Sequence, residues 1–557
     1  MAFICNFAAI NTISMRKSLI VAAFLLFVLK LDARQDQHVS RPKLVVGIVV
    51  DQMRWDYLYR YYDRYSEDGF KRMMNEGYSC QNAFINYLPS FTAPGHSCIY
   101  TGSVPSIHGI VANDWMDNKT GKGIYCTEDK TVTAVAGSYK AGQMSPRNML
   151  TSTITDELRL ATNMRSKVYG ISIKDRGAIL PAGHLANGAF WFDDSTGNFM
   201  SSSYYGNNLP DWMTKFNNKR WADSFLNSTW VTLYDKSSYV QSLPDNNTFE
   251  GPIKGENKVT FPHSVAAAQT NYNRLRYLPA ANTMLVKAAK ACIHGTQLGQ
   301  GSETDFLCIS FSSTDYVGHT FTPNSVEAED MFLRLDEEIA SLLKYLDRHV
   351  GAGNYTIFLT ADHGAAHNAE YMQSIKLPAG NRAEGDAFTS LNKWLKEKTG
   401  KDSLVRDLSN YQVYLNDRSI DKYKMDREAV KHLTTEWFEQ QDGVAYIIDL
   451  EHMSNSTAPA NICKMAMNGY NRLRSGCLQV ILQPGWYSGY GPTGTTHGTW
   501  NPYDTHIPLL WYGWGIRQGE NFKKVNMTDI AATLAAMLHI QMPNGCIGKP
   551  IKELMKK

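Results

Sequence analysis

The chain has 557 residues, 43% hydrophobic and 20% charged, with 56 Lys and Arg against 53 Asp and Glu. A net charge of +3 over that length gives no basic footprint for nucleic acid or for an anionic membrane surface. The composition is that of a globular protein, and the length suits either roughly two to four average domains or one large α/β body with insertions.

Read in chain order, Met15-Arg16-Lys17 opens a short basic stretch, and Ser18 to Leu29 is an apolar run ended by Lys30. That run has signal-peptide length and is too short to span a bilayer. No later segment reads as a span, so the mature chain is expected to have none. Met15 is the better initiator than Met1, and cleavage is expected near Ala33, which makes residues 1–33 a leader and the protein periplasmic or secreted. An uncleaved anchor is the competing reading. Removing the leader takes Cys5 and leaves Cys80, Cys98, Cys126, Cys292, Cys308, Cys463, Cys477 and Cys546. An even number permits disulfides in an oxidising compartment, with connectivity left open. Cys98 and Cys308 read as buried hydrophobes. The absence of C-x-x-C disfavours a zinc knuckle.

Leu44–Val50 is an apolar strand running into Asp51. Asn86 to Ser97 carries Thr92 just ahead of Pro94-Gly95, a pattern that opens a helix with Thr92 as its cap. Such a helix start offers unpaired N–H groups and the positive end of the helix dipole to an anion. Val168–Ile173 reads as a strand into Lys174, Phe306–Ser310 as one leading toward Asp315, and Tyr355–Thr360 as one followed by Asp362 and His363. Val326 to Leu346 is the clearest helix, with Met331, Leu335, Ile339, Leu342 and Leu346 at helical spacing. A shorter helix is expected from Ala387 to Lys398, capped by Asp386. Ile507–Tyr512 reads as a further strand, and Thr528 to Leu538 as a late helix capped by Thr528 or Asp529. Continuous apolar strands alternating with helices predict an α/β fold with a doubly wound, mostly parallel central sheet flanked by helices. In such a sheet, ligands bind beyond the carboxyl ends of the strands. Residues 190–280 and 380–480 break the rhythm and read as insertions over that active edge. An independent domain in either stretch is the alternative.

Asp51, Asp315, His319, Asp362, His363 and His497 are the candidate metal ligands. Three Asp and three His suffice for two zinc sites of three protein ligands each, with open positions for substrate and nucleophile. Imidazole favours zinc over magnesium. Each piece alone is weak: Asp-His-Gly is common as a turn, and Asp315…His319 is a common spacing. Their accumulation near strand ends is the signal. His96, His108, His184, His367 and His506 read as structural or supporting.

Val49-Val50-Asp51-Gln52-Met53-Arg54, Thr92-Ala93-Pro94-Gly95-His96, Asn113-Asp114, Lys174-Asp175-Arg176, Asp315…His319, Asp362-His363-Gly364 and His497-Gly498 follow one another in an order that resembles the alkaline phosphatase superfamily. The likeness is to its single-domain, bacterial phosphate-irrepressible members, related to nucleotide pyrophosphatase/phosphodiesterases. It covers essentially the whole chain after the leader, and implies one catalytic domain at 34–557 with two Zn2+ per chain. The resemblance implies Thr92 as nucleophile, transiently phosphorylated. It implies Asp51, Asp362 and His363 as ligands of the zinc that activates Thr92, and Asp315, His319 and His497 as ligands of the zinc at the leaving oxygen. It implies Asn113, Lys174 and Arg176 as contacts of the transferred phosphoryl group. Zinc can turn a hydroxyl into a nucleophile near neutral pH and stabilise the departing oxygen, and a covalent intermediate splits one hard step into two.

Lys174 and Arg176 separate the possible activities. At i and i+2 of an extended segment they leave the same face and can both reach one phosphate. Two cations favour a monoester dianion, Arg by bidentate bonds and Lys as a point charge. A solvated Lys-Asp-Arg turn is the bland reading. The expected substrates are small phosphate monoesters, with inorganic phosphate as product inhibitor. A phosphodiesterase of the same superfamily would lack the cationic pair. A sulfatase would need Cys or Ser where Thr92 stands and an Arg that this segment does not contain. A non-catalytic glycan-binding protein would have no need for a complete ligand set.

Overall fold

The computed structural model describes residues 40–264, 272–489 and 491–556. The predicted leader lies outside them. Among the described residues, no helix is long and apolar enough to cross a membrane.

A ten-stranded sheet organises the fold. In chain order its strands are β1 (Leu44–Val50), β2 (Tyr78–Cys80), β3 (Ala134–Val135), β4 (Val168–Ser172), β5 (Gly188–Asp193), β6 (Asn198–Ser202), β7 (Asp305–Phe311), β8 (Tyr355–Thr360), β9 (Leu509–Gly513) and β10 (Gly519–Asn521). Across the sheet they run β10-β2-β9-β8-β1-β7-β4-β5-β6-β3. The central five, β8-β1-β7-β4-β5, are parallel. β9 and β6 bound them antiparallel. All seven residues of β1 are buried, as two-sided cover requires. Each such Val, Ile or Leu side chain contributes roughly 1.5–3 kcal/mol by leaving water.

Five helices matter for the site: α1 (Thr92–Thr101), α2 (Asp175–Ala182), α3 (Ser313–Phe321), α4 (Val326–Leu346) and α5 (Glu384–Thr399). Several expectations need correction. The run Ile507–Tyr512 is split at Pro508, which has no N–H for a ladder. His506 and Ile507 pair with Phe84 and Ala83, and only Leu509–Gly513 joins the main sheet, antiparallel to β8. Residues 190–202 belong to β5 and β6 of the central sheet, so the irregular stretch begins later than 190. α5 starts at Glu384 after Ala383, which puts Asp386 in its first turn and not at its cap. The late helix spans Asp529–Leu538 with Thr528 at the cap position, but no side chain caps it. Asp529 instead accepts the N–H groups of Asn526 and Lys549.

The 380–480 stretch carries most of a separate four-stranded antiparallel sheet, ordered Val405–Ser409, Gln412–Leu415, Leu478–Leu482, Val444–Asp449. Leu391 and Leu395 of α5 bury with Leu404, Val413, Val430 and Leu478 in a core of their own. The cysteines Cys80, Cys98, Cys126, Cys292, Cys308, Cys463, Cys477 and Cys546 are all free thiols, so the structure contains none of the disulfides their even number permitted. Cys98 and Cys308 are fully buried, and burial raises both thiols above their ordinary pKa.

Candidate active site

The parallel register brings the carboxylates together. Val50 pairs with Phe311 of β7 and Val49 with Thr360 of β8. Asp51, Asp315 and Asp362 therefore follow the carboxyl ends of three adjacent strands, where this sheet type binds ligands. Ser172 at the end of β4 pairs with Ser310, which delivers Lys174 to the same edge. α1 brings in Thr92. A Cβ on Gly95 would lie 2.6 Å from Asp362 Cβ and from its carbonyl oxygen, so only glycine lets the helix start come this close.

Three groups converge on His363 Nε2. Thr92 Oγ1 lies 3.3 Å away, Asp51 Oδ1 3.4 Å and Asp362 Oδ2 3.7 Å. Asp51 Oδ1 and Asp362 Oδ2 are buried; Asp51 Oδ1 has no hydrogen-bond partner, and Asp362 Oδ2 has His96 Nδ1 beside it at 3.3 Å. The other Asp362 oxygen, Oδ1, accepts the backbone N–H groups of Gln52 and His363 at 3.2 and 3.0 Å. A second group forms around Asp315 Oδ1, with His319 Nε2 at 3.1 Å and His497 Nε2 at 3.8 Å.

All three histidines are oriented alike. Their Nδ1 atoms sit against backbone carbonyls: His363 on Gly364 at 3.0 Å, His319 on Thr495 at 2.8 Å and His497 on Ser90 at 2.8 Å. A proton on Nδ1 satisfies each carbonyl and leaves Nε2 with its lone pair aimed at the carboxylates, as metal-ligating histidines require.

Asp315, His319 and His497 form a compact potential metal-binding group, and Asp51, Asp315 and His363 form another. The predicted set Asp51, Asp362, His363 is thus only partly reproduced as a tight cluster. Lys174 bridges two of these carboxylates. Its ammonium donates to Asp51 Oδ2 at 2.7 Å and to Asp315 Oδ2 at 2.6 Å, drawing those two carboxylates together.

Lys174 and Arg176 differ from the extended pair expected. Lys174 is the residue preceding α2, and Arg176 is already inside the helix. Arg176 Nη1 donates to the Tyr125 hydroxyl at 3.0 Å, and its buried Nε has no partner. Tyr125 OH in turn donates to Asp175 Oδ1 at 2.8 Å. Asn113 Oδ1 accepts the Ala93 N–H at 3.0 Å, which ties it to the start of α1 and leaves its NH2 as a donor. Thr92 is the first residue of α1, not its cap. Phe91 holds the cap position in an extended conformation.

The electrostatics suit a cationic guest. Burial, with Asp315 and Asp362 alongside, holds the Asp51 carboxyl well above the usual carboxylate range. Burial also works to raise Asp315, but His319 and Lys174 outweigh it and pull it well down. Burial likewise opposes ionisation of Asp362, which His363 and His96 nevertheless depress. His497 is pushed well below its ordinary pKa by burial and by the neighbouring His363 and His319. Buried carboxylates without partners are costly. The chemistry of the donors, carboxylate O and imidazole N at tetrahedral-site numbers, fits zinc.

Three contributors were not singled out from sequence for these contacts. His96 Nδ1 lies 2.8 Å from Thr92 O and 3.3 Å from Asp362 Oδ2, and its N–H donates between them. The Tyr411 hydroxyl, on the turn between the Val405–Ser409 and Gln412–Leu415 strands, donates to His497 O at 3.1 Å. Gln52 Nε2 donates to Asp315 Oδ1 at 2.8 Å. A polar residue beside a candidate ligand was the available signal for Gln52, and none existed for Tyr411.

The fold and this constellation define a hydrolase of the alkaline phosphatase superfamily. The family model for type I phosphodiesterase / nucleotide pyrophosphatase matches residues 45–506, and the chain belongs to that family. It is 48% identical over 528 residues to alkaline phosphatase PafA of Elizabethkingia meningoseptica, covering 94% of this chain and 96% of the relative. It is also 48% identical over 526 residues to a protein of Myroides odoratus named as a calcium-transporting ATPase, covering 94% and 96%. The crystal structure of wild-type PafA superimposes with a TM-score of 0.92 at 47% identity, covering 93% of this chain and 100% of that one. A solved PafA variant carries substitutions at a threonine, an asparagine, a lysine and an arginine. The first two are spaced there as Thr92 and Asn113 are here, and the last two as Lys174 and Arg176 are.

Proposed function

We propose that this protein is a zinc-dependent phosphate monoester hydrolase, an alkaline phosphatase that acts through a phospho-threonine at Thr92 and releases inorganic phosphate. The observation that carries this reading is the convergence of Thr92 Oγ1 with the buried Asp51 Oδ1 and Asp362 Oδ2 on His363 Nε2. Asp51, Asp362 and His363 would hold one zinc ion, and Asp315, His319 and His497 a second. Bound zinc would supply Lewis acidity at the nucleophile and at the leaving oxygen. Thr92 Oγ attacks phosphorus in line, forming the P–O bond to threonine as the bond to the leaving oxygen breaks. Water then cleaves the phospho-threonine and regenerates the hydroxyl.

Asn113, Lys174 and Arg176 bind the equatorial oxygens, where charge remains through both steps. Lys174 reaches them by exchanging its carboxylate contacts for phosphoryl oxygens once other cations neutralise Asp51 and Asp315. Arg176, with Nε unpartnered, is ready to donate. This pair favours monoesters over diesters, and the same contacts make inorganic phosphate an inhibitor. Residues 34–557 act as one catalytic domain. The decorations near 190–280 and 380–480 shape access to the site, with Tyr411 as the link from the second to His497. Export to the periplasm or medium follows from the leader sequence. The deciding experiment compares kcat/KM for a phosphate monoester, a phosphodiester and a sulfate ester sharing one leaving group. The monoester should lead by several orders of magnitude; a preference for the diester would replace this reading with the phosphodiesterase one.

A further inference from the structure

Gln52 joins the carboxylates that follow three different strands. It directly follows Asp51 and is 3% exposed. Its backbone has φ +62°, a left-handed conformation rarely taken by a side-chain-bearing residue. That turn aims the Gln52 N–H at Asp362 Oδ1, 3.2 Å away, while Nε2 reaches Asp315 Oδ1 at 2.8 Å. The oxygen it grips on Asp315 is the one facing His319 Nε2 and His497 Nε2. The other Asp315 oxygen is held by Lys174.

α3 is shaped to admit this amide. A Cβ at Gly318 would stand 1.9 Å from Gln52 Oε1. Glycine between Asp315 and His319 therefore clears the space in which the carboxamide lies. The chemistry of the side chain also matters. A glutamate of the same shape would set a carboxylate against Asp315 in a site already rich in buried negative charge. The amide donates a proton without adding charge.

From this geometry we infer that Gln52 is a positioning residue for metal binding: it fixes the Asp315 carboxylate toward His319 and His497 and so sets the affinity of that ligand group. The inference rests on the zinc reading given above. Outer partners of this kind are typically worth about 10–100-fold in metal affinity.

The test measures zinc per chain during dialysis against graded chelator buffers, for the parent protein, Gln52→Ala, Gln52→Glu and Gly318→Ala. The melting temperature of the metal-stripped forms is measured alongside. Gln52→Ala is expected to release one of two zinc ions at roughly 10–100-fold lower chelator strength, while the other is retained. Gln52→Glu should be worse than Gln52→Ala, and excess zinc should restore turnover of Gln52→Ala. Gly318→Ala should reproduce the loss by displacing an intact Gln52, which keeps the test open if Gln52→Ala folds poorly. Identical chelator curves for parent and both Gln52 variants would overturn the inference while leaving the zinc reading intact. A parent protein that binds no zinc would overturn the zinc reading itself.

Discussion

The Thr92 hydroxyl lies 3.3 Å from His363 Nε2, although 271 positions separate the two residues in the chain. Thr92 is 1% exposed and His363 fully buried, so the contact is made away from bulk water. Thr92→Ala should cost on the order of 10^4-fold or more in kcat. Its circular dichroism and melting temperature should match the parent, because the side chain caps no helix. Thr92→Ser keeps the oxygen and should retain far more activity. Comparable turnover by Thr92→Ala and the parent would remove threonine from the nucleophile role.

Lys174 and Arg176 are expected to discriminate charge. Replacing both with Ala should lower kcat/KM for a monoester by on the order of 10^3-fold, and for a diester much less, since charged hydrogen bonds of this kind contribute about 1.5–3 kcal/mol each. Equal losses on both substrates would mean that the pair serves architecture. Lys174→Ala alone also releases Asp51 and Asp315 from their shared cation, so it should alter zinc retention as well as turnover.

Chelation should inactivate the enzyme, and zinc should restore it to two ions per chain by elemental analysis. Recovery with magnesium alone would contradict the imidazole-based assignment.

A separate cluster makes stability depend on pH. His263 Nδ1 lies 2.7 Å from Glu256 Oε2 and its Nε2 3.0 Å from Glu327 Oε1. Burial acts to lower this imidazole, but the two carboxylates overcome it and push the pKa up from 6.5 to about 9. A folded-state pKa above the unfolded value means that the stabilisation from the charged imidazole is lost as pH rises through 9, while burial pushes the Glu327 carboxyl up to about 7, so the pairing with it weakens again below that pH. The melting temperature should fall as pH rises through 9, and the His263→Gln variant should show a flatter profile. A parent profile no steeper than the variant's would show that His263 does not carry the effect.

The free thiols make a simple prediction. Reductant should leave the melting temperature unchanged, and alkylation of the unreduced, denatured mature chain should label Cys80, Cys98, Cys126, Cys292, Cys308, Cys463, Cys477 and Cys546. Fewer labelled sites would reveal pairing.

Where a pattern is long or both faces are covered, the sequence is easy to read. Leu44–Val50, Tyr355–Thr360 and Val326–Leu346 have the bounds expected of them. Short helices were harder. α2 is eight residues with Pro181 inside, and no periodic signal marks its start at Asp175. The Lys174-Asp175-Arg176 run therefore read as extended, when packing against the sheet makes it helical. The first residues of α5 were missed for a related reason: Glu384 is fixed by accepting the Tyr411 N–H from a distant hairpin turn. The ligand candidates were legible because each follows a recognisable strand or a Gly-rich loop. Gln52 offered only its place beside Asp51, which does not separate a buried amide that spans two carboxylates from an ordinary turn residue.

The Nδ1 bonds of the three histidines have a consequence for biosynthesis. His497 takes its orientation from Ser90, and His319 from Thr495, so neither ring is set until the loop near residue 495 has been made. Asp51 emerges first and His497 nearly last. A growing chain can therefore offer Asp51, Asp362 and His363 to a metal early, but the Asp315, His319 and His497 donors are matched only after almost the entire polypeptide has been synthesised and folded. Loading of the Asp315, His319 and His497 group should accordingly be a late event in the life of each molecule, and a stalled or truncated chain lacking its last segment should be recognisable by its failure to hold a metal there.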